Sequence, residues 1–379
     1  MSNDDSRMRW DPYVLAPDDQ FDAFWKDHLG TRSRDVLFIM GRGFDVRATE
    51  SCARILGSGG GGQRDCWLIA FDNGLPDSEN RIALTKENVD ACRKIFVNGT
   101  VTELPVTLST SGRQTATSRS VQREIRKPDL LKNYSDIVVD ISAMPRMIAM
   151  TVVSQLIHLL DRLFEDHEIE VNLHVTTSES VSSDRAASSA SLSDTVTNVV
   201  GFSGQLNGEV DEHIPRVWFP VLGEDQDARL TLIREELRPD EICPVIPFPS
   251  RNARRGDEII GAYRQILFDE FQVEPKNILQ ASEYNPFEAY RQLYGAIERY
   301  RNALHELGGC KAFVSPLSSK LLSIGSLLAC YDHRSRRLES ANLHVGMPYV
   351  ETATYGEPEQ KAADKTELYS MWIRGEWER

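Results

Sequence analysis

At 379 residues the chain has room for two domains, each able to bury a core of its own. With 41% hydrophobic and 26% charged residues it reads as globular, and a net charge of −14 excludes a general affinity for nucleic-acid backbones. The opening Met1-Ser2-Asn3-Asp4-Asp5 lacks the basic start and apolar run of a secretory signal, and no uninterrupted apolar stretch predicts a membrane span, so a cytoplasmic location is expected.

Residues 1–34 read as an N-terminal extension with one short helix starting at Asp18, acidic at its start and aromatic at Phe21, Phe24 and Trp25. Val36–Met40 is an apolar run too short for a helix and predicts a buried strand. Thr49–Leu56 predicts a helix, Gly57–Gly62 a turn, Cys66–Phe71 a second strand, Glu87–Phe96 a helix and Val101–Leu108 a third strand. Ile137–Asp140 predicts a strand, Met147–Phe164 a long buried helix and Val171–Val175 another strand, completing a first unit at 35–177.

Residues 178–212, rich in small and polar residues, predict a linker or long surface loop. A second unit, 213–351, repeats the grammar. Its strands are expected at Val217–Leu222, Cys243–Phe248, Ala312–Val314 and Asn342–Val345. Its helices are expected at Ala228–Leu237, Asp257–Phe271, Pro286–Leu307 and Leu321–Cys330. Pro244 and Pro247 suggest a sheet edge. Residues 352–379 read as a polar tail in which Leu368–Trp372 docks as a short helix.

Four short matches run in the same order through both halves. Gly41 to Arg47 and Gly223 to Arg229 share the frame G-x-x-x-D-x-R, and Cys66–Phe71 is echoed by Cys243–Phe248. Val138-Val139-Asp140 is echoed by Phe313-Val314-Ser315, and Asn172-Leu173-His174-Val175 returns as Asn342-Leu343-His344-Val345. Collinearity predicts a tandem duplication of one Rossmann-like α/β unit, with mostly parallel sheets and helices on both faces. Six cysteines without a C-x-x-C pair predict buried thiols, with no disulfide framework and no metal site.

In open parallel sheets, ligands bind beyond the carboxyl ends of the strands, and polar residues cluster at those ends. After the first strand come Arg42, Gly43, Asp45 and Arg47; after the second, Asp72; after the later strand, Asp140, Ser142 and Arg146. Gly41 and Gly43 permit a tight turn and close backbone approach, and the helix behind offers N–H groups to an anion. Arg42, Arg47 and Arg146 supply cations suited to a phosphate or carboxylate. For Asp45 and Arg47 two readings stand: ligand contacts, or a brace common to both units. Arg42 becomes Glu224 in the second unit, which points to function. Arg146 opposes the helix dipole behind Pro145, for which an anionic ligand or Asp140 itself would be the reason.

The second unit has Ser315, Ser318, Ser319 and Lys320 at the equivalent place, a good phosphate cradle that lacks the carboxylate of an acid/base site. Arg251, Arg254 and Arg255 are either solvated loop charges or a phosphate-facing patch. His174 and His344, identical and inside predicted strands, are assigned to packing or a contact between the units, and Thr176 to Glu179, just after the strand end, are within reach of the same rim. The loop after Val36–Met40 carries neither G-x-G-x-x-G nor G-K-[ST], and no G-x-S-x-G elbow supports a triad of Ser142, His174 and Asp140. The cofactor, if there is one, is unknown from sequence.

The order of strand, hydroxyl-rich turn, cation and helix in Val314–Gly325 resembles the turn of CARF-type Rossmann domains, over about a dozen residues and without that family's glycine-rich form. The resemblance implies sensing of a cyclic oligonucleotide, with the duplication imitating in one chain the two-fold site of a dimer. The first expectation is therefore a binding or sensor protein for a phosphorylated small molecule, most simply a nucleotide, in a cleft between the duplicated units. The second is an enzyme acting on a nucleotide or phosphosugar with Asp140 as acid/base. The third is a scaffold subunit that meets protein partners through 1–34 or 352–379.

Overall fold

A computed structural model describes residues 8–72, 77–107, 115–180, 189–204, 213–335, 342–355 and 365–378. The chain forms two compact units, Tyr13–Leu192 with Thr352–Arg379 (the first) and Met1–Pro12 with Ser193–Glu351 (the second). In chain order the elements begin β1 (Val14–Ala16), α1 (Asp18–Gly30), β2 (Val36–Gly41), α2 (Glu50–Gly57), β3 (Arg64–Asp72), α3 (Glu79–Ile95) and β4 (Val101–Thr107). They continue with α4 (Thr115–Ile125), α5 (Pro128–Leu131), β5 (Asp136–Asp140), α6 (Arg146–His167), β6 (Asn172–Glu179) and β7 (Ser189–Ser203). Next come β8 (Arg216–Leu222), α7 (Asp227–Leu237), β9 (Glu241–Ile242), β10 (Val245–Pro247), α8 (Arg255–Ala262), β11 (Leu279–Ala281) and α9 (Pro286–Ala303). Last are β12 (Cys310–Leu317), α10 (Lys320–Ser335), β13 (Leu343–Tyr355) and β14 (Glu367–Arg374).

The duplication is plain in the topology. The first sheet runs β1-β14-β6-β5-β2-β3-β4 and the second β11-β10-β8-β12-β13-β7, with β9 beside β8. Read from the β4 and β11 ends, both follow the Rossmann order 3-2-1-4-5, and all five strands are parallel in each. Right-handed crossovers on either side of the central strand put the connecting helices on opposite faces.

The residue echoes slip against this topology. Aligning the glycines matches Met40 with Leu222, and Asp140 does face Met40, but its echo Ser315 faces Pro220 while Leu222 faces Leu317. His174 faces Val138, whose echo is Phe313, yet Phe313 faces Gly346 and His344 faces Lys311. Each slip is of two residues, which keeps every side chain on its own face of the sheet. Common architecture survives in the order of strands more faithfully than in the matched letters.

Four expectations are corrected. Residues 8–34 are part of the units, 1–7 lying outside the described residues: Phe21, Trp25 and Leu29 of α1 recur at helical spacing and are buried in the first core. Trp10 is buried in the second unit, edge-on to Tyr290 at 5.4 Å, with the Arg9 N–H donating to Asp332 at 3.1 Å. Leu368–Trp372 lies in a strand, β14, between β1 and β6 and antiparallel to both. The expected linker 178–212 contains the end of β6 and the long β7, its remaining parts 181–188 and 205–212 lying outside the described residues. Lastly, β10 is interior, between β11 and β8; of the predicted strand Cys243–Phe248 only Val245–Pro247 is paired, with Pro244 just before it and Pro247 as its last residue.

Helix α6 is long and apolar enough to cross a membrane by composition, but 72% of its most apolar window is buried within the fold. It is a core helix, and its uniform hydrophobicity follows from burial on nearly every side.

Candidate functional site

In the first unit the strand order reverses between β2 and β5, and in the second between β8 and β12. The crevice at such a reversal is where open α/β sheets take ligands. Around it lie the loop after β2, with Arg42, Gly43, Asp45 and Arg47, and the loop after β5, with Asp140, Ser142 and Arg146. The two loops are in tight contact. A Cβ on Gly41 would stand 2.8 Å from the Ala143 carbonyl oxygen, and one on Gly43 3.1 Å from it. Gly223 meets the Leu317 carbonyl oxygen at 2.7 Å in the same way. Glycine is required here by approach to the chain's own neighbouring loop.

The arginine of the D-x-R frame acts as a brace in both units. Arg47 is buried; its Nε and Nη2 donate to the two Asp45 oxygens at 3.0 and 2.8 Å, and its Nη1 donates to the Ser178 carbonyl at 3.0 Å. Arg229 repeats the reach in the second unit, with Nε donating to the Val350 carbonyl and Nη1 to Gln226, both at 3.0 Å. Each arginine ties the segment after the central strand to the fifth strand of its sheet. Gln226 takes the part that Asp45 plays, while Asp227, the echo of Asp45, sits one place on as the first residue of α7.

Asp140 is buried with both oxygens engaged: one accepts from the Ser142 N–H at 2.7 Å, the other from the Ser51 hydroxyl. Ser142 Oγ accepts from the Ser178 N–H at 2.8 Å. Ser178 Oγ donates to Glu50 at 2.7 Å, and Glu50 accepts from Thr366 at 2.5 Å. Sequence reasoning missed Ser51, Glu50 and Thr366. Thr176, Thr177 and Ser178 read as loop by polarity, but β6 is paired on both edges by β5 and β14, so these residues stay in the sheet and their hydroxyls are buried.

The remaining candidates are dispersed. Arg42 is partly exposed and forms an ion pair with Glu103 at 3.5 Å, a contact of small energetic weight. Asp72 ends β3, and its side chain lies outside the described residues. Ser315 is inside β12, accepting from Trp218 Nε1 at 2.9 Å; β12 continues through Pro316 to Leu317, so Ser315 is not in the turn. Ser318 is buried, Ser319 Oγ caps α10 by accepting from the Leu322 N–H at 3.2 Å, and Lys320 is the first helical residue. Arg146 is the first residue of α6, and neither α6 nor α10 has an acid in its first turn. In the basic cluster Arg255 is neutralised by Glu224 and Glu283, each at 2.7 Å.

A separate polar cluster lies at the amino ends of β5 and β6. Asp136 is buried; its Oδ1 is 2.7 Å from His28 Nε2 and 3.3 Å from His174 Nε2, and its Oδ2 is 3.3 Å from Arg34 Nη1. Among the described residues these two histidines and Asp136 have metal-ligand spacing. Arg34 already neutralises the carboxylate, and Trp25, Trp372 and Phe24 close around His174 at 4.8, 5.1 and 6.0 Å between ring centroids. The arrangement is a charge network sealed by rings.

Burial pushes His174 down to about 4, against the pull of Asp136. Burial alone would raise the Asp136 carboxyl, but hydrogen bonds from His174 and His28 hold it well below the carboxylate range. For His174 the sign is clear. The unfolded imidazole takes a proton near 6.5 and the folded one near 4, so the contribution is complete above 6.5 and is lost as pH falls toward 4. The loss is about 3 kcal/mol, and Asp136 adds to it at lower pH. Melting of the first unit, followed by tryptophan fluorescence from about pH 7 to about pH 5, is expected to move down steadily. A flat midpoint would remove this account of His174.

No protein-family model matches the chain, and no curated protein matches it. Among solved structures it is similar to a UDP-GlcNAc 2-epimerase from Neisseria meningitidis bound to UDP-GlcNAc, at 10% identity over 80% of this chain and 91% of that chain, with a TM-score of 0.21. A likeness of that size carries no functional argument.

Proposed function

We propose that the protein binds a phosphorylated small molecule, most simply a nucleotide, at the strand-order reversal of its units. One observation carries the reading: the helix entering each reversal point, α6 and α10, starts on a cation, Arg146 or Lys320, and has no acid in its first turn. A helix N-terminus and a cation beside it both favour an anion, and a phosphate suits the two together. Binding is preferred to an acid/base role for Asp140 because both Asp140 oxygens accept hydrogen bonds inside the fold. The expected docking segments of a scaffold subunit are in large part core elements of the units.

The test is a thermal-shift screen of nucleotides, cyclic oligonucleotides and sugar phosphates. A ligand at about a hundred times its Kd is expected to raise the melting midpoint by about 5–10 °C. Arg146→Ala or Lys320→Ala is expected to weaken binding by roughly ten-fold or more. No stabilising ligand, or equal stabilisation of wild type and both variants, would overturn the proposal.

A further inference from the structure

Behind the glycine loop of the first unit three sulfurs meet in the core. Cys66 of β3 lies 3.8 Å from Cys92 of α3, sulfur to sulfur, and 3.8 Å from the thioether of Met40 on β2. All three are buried, whereas Cys52 turns its thiol to the Thr49 carbonyl at 3.2 Å. The surroundings are apolar, with Phe38, Leu68, Val89 and Phe96 in the same cluster. Yet Cys92 and Met40 also line a small recess, with room for about one water-sized solute, bounded by Gly41, Arg42, Gly43 and Asn88. A small solute entering beside the glycine loop therefore meets Cys92, with Cys66 behind it.

We propose that Cys66 and Cys92 are a site of reversible modification, a dithiol that a peroxide converts to a disulfide joining β3 to α3. The Cys92 thiolate attacks one peroxide oxygen and the O–O bond breaks, leaving a sulfenic acid; the departing hydroxide takes up the thiol proton as water. The Cys66 sulfur then attacks the sulfenic sulfur, forming the S–S bond and breaking the S–O bond. The second hydroxide leaves as water with the Cys66 proton. Two thiols lose two electrons in all, and one peroxide is reduced to two waters. The order of events follows from the pair itself: the hydrogen bond from Cys66 lowers Cys92 below the ordinary thiol range, and burial pushes Cys66 up.

The sulfurs must close from 3.8 Å to about 2.05 Å. Cys92 is in the last turn of α3, which ends at Ile95, where helix ends yield most readily. The bond would also reach the loop, because Asn88 on the same helix donates to the Gly43 and Asp45 carbonyls at 2.8 Å each.

The test treats the reduced, full-length native chain with excess hydrogen peroxide, blocks remaining thiols by alkylation under denaturing conditions, and maps peptides by mass spectrometry. A Cys66–Cys92 crosslink reversed by dithiothreitol is expected, with Cys243, Cys310 and Cys330 still alkylated. Cys92→Ala should leave Cys66 alkylated, and Cys52→Ala should leave the crosslink intact. The proposal is overturned if peroxide that oxidises the urea-unfolded chain leaves both thiols intact in the native one, or if Cys66 pairs with Cys52. The wild-type comparison of native and unfolded chains stands even if Cys92→Ala fails to fold.

Discussion

Ending the chain at Lys365 is expected to unfold the first unit. The removed segment contains β14, whose Leu368, Met371 and Ile373 are fully buried and whose backbone pairs with β6 on one side and β1 on the other. Burial of three such side chains contributes about 5–9 kcal/mol, comparable to the whole stability of an ordinary domain, about 5–15 kcal/mol. Loss of the strand also bares the edge of β6 and the Thr176, Thr177 and Ser178 side chains buried there. Limited proteolysis read by mass spectrometry should find new cuts throughout Tyr13–Leu192. A truncated chain that resists protease there as wild type does would return 352–379 to the status of a tail. Ile373→Ala offers a milder form of the same test, with an expected loss of about 2–5 kcal/mol.

Asp136→Ala is expected to cost about 1–3 kcal/mol, because it leaves two buried histidines without their common acceptor, while Arg34 keeps its ion pair with Glu376 at 3.1 Å. Urea unfolding followed by the fluorescence of Trp25 and Trp372, both packed on His174, measures it directly. A loss below about 1 kcal/mol would show that the rings alone hold this end of the sheet. The comparison with Asp140→Asn is informative. Asp140 attracted attention in the sequence because it ends a strand, whereas Asp136 begins one, and only the fold shows that the second carboxylate faces two histidines and an arginine.

Much of the architecture was legible from local pattern. Val36–Met40, Cys66–Phe71 and Ile137–Asp140 are apolar runs bounded by polar or glycine residues, and each falls within an observed strand, because a parallel strand is buried on both faces. Where pattern misled, polarity was the reason. Thr176 to Glu179 carry hydroxyls and a carboxylate into β6, and β14 buries Ser370 and Arg374 among its apolar residues after a charged stretch, so neither has the periodicity that announces a strand. The candidate site was half legible. Arg146, Lys320 and the glycines stand where the topology reverses, but Ser51, Glu50 and Thr366 come from elements whose convergence no local signal predicts.

The sequence by itself determined the class of fold, the number of units and the central strands, since burial on both faces and helical spacing are written in adjacent residues. Only the tertiary structure decided which polar groups are braces and which stand at the reversal of strand order. It also decided that β14 and α1 complete the first core and that Asp140 is a buried acceptor. The physical reason is common to all of these: a side chain's role depends on partners distant in the chain, such as Ser178 for Arg47, Ser51 for Asp140 and β6 for β14.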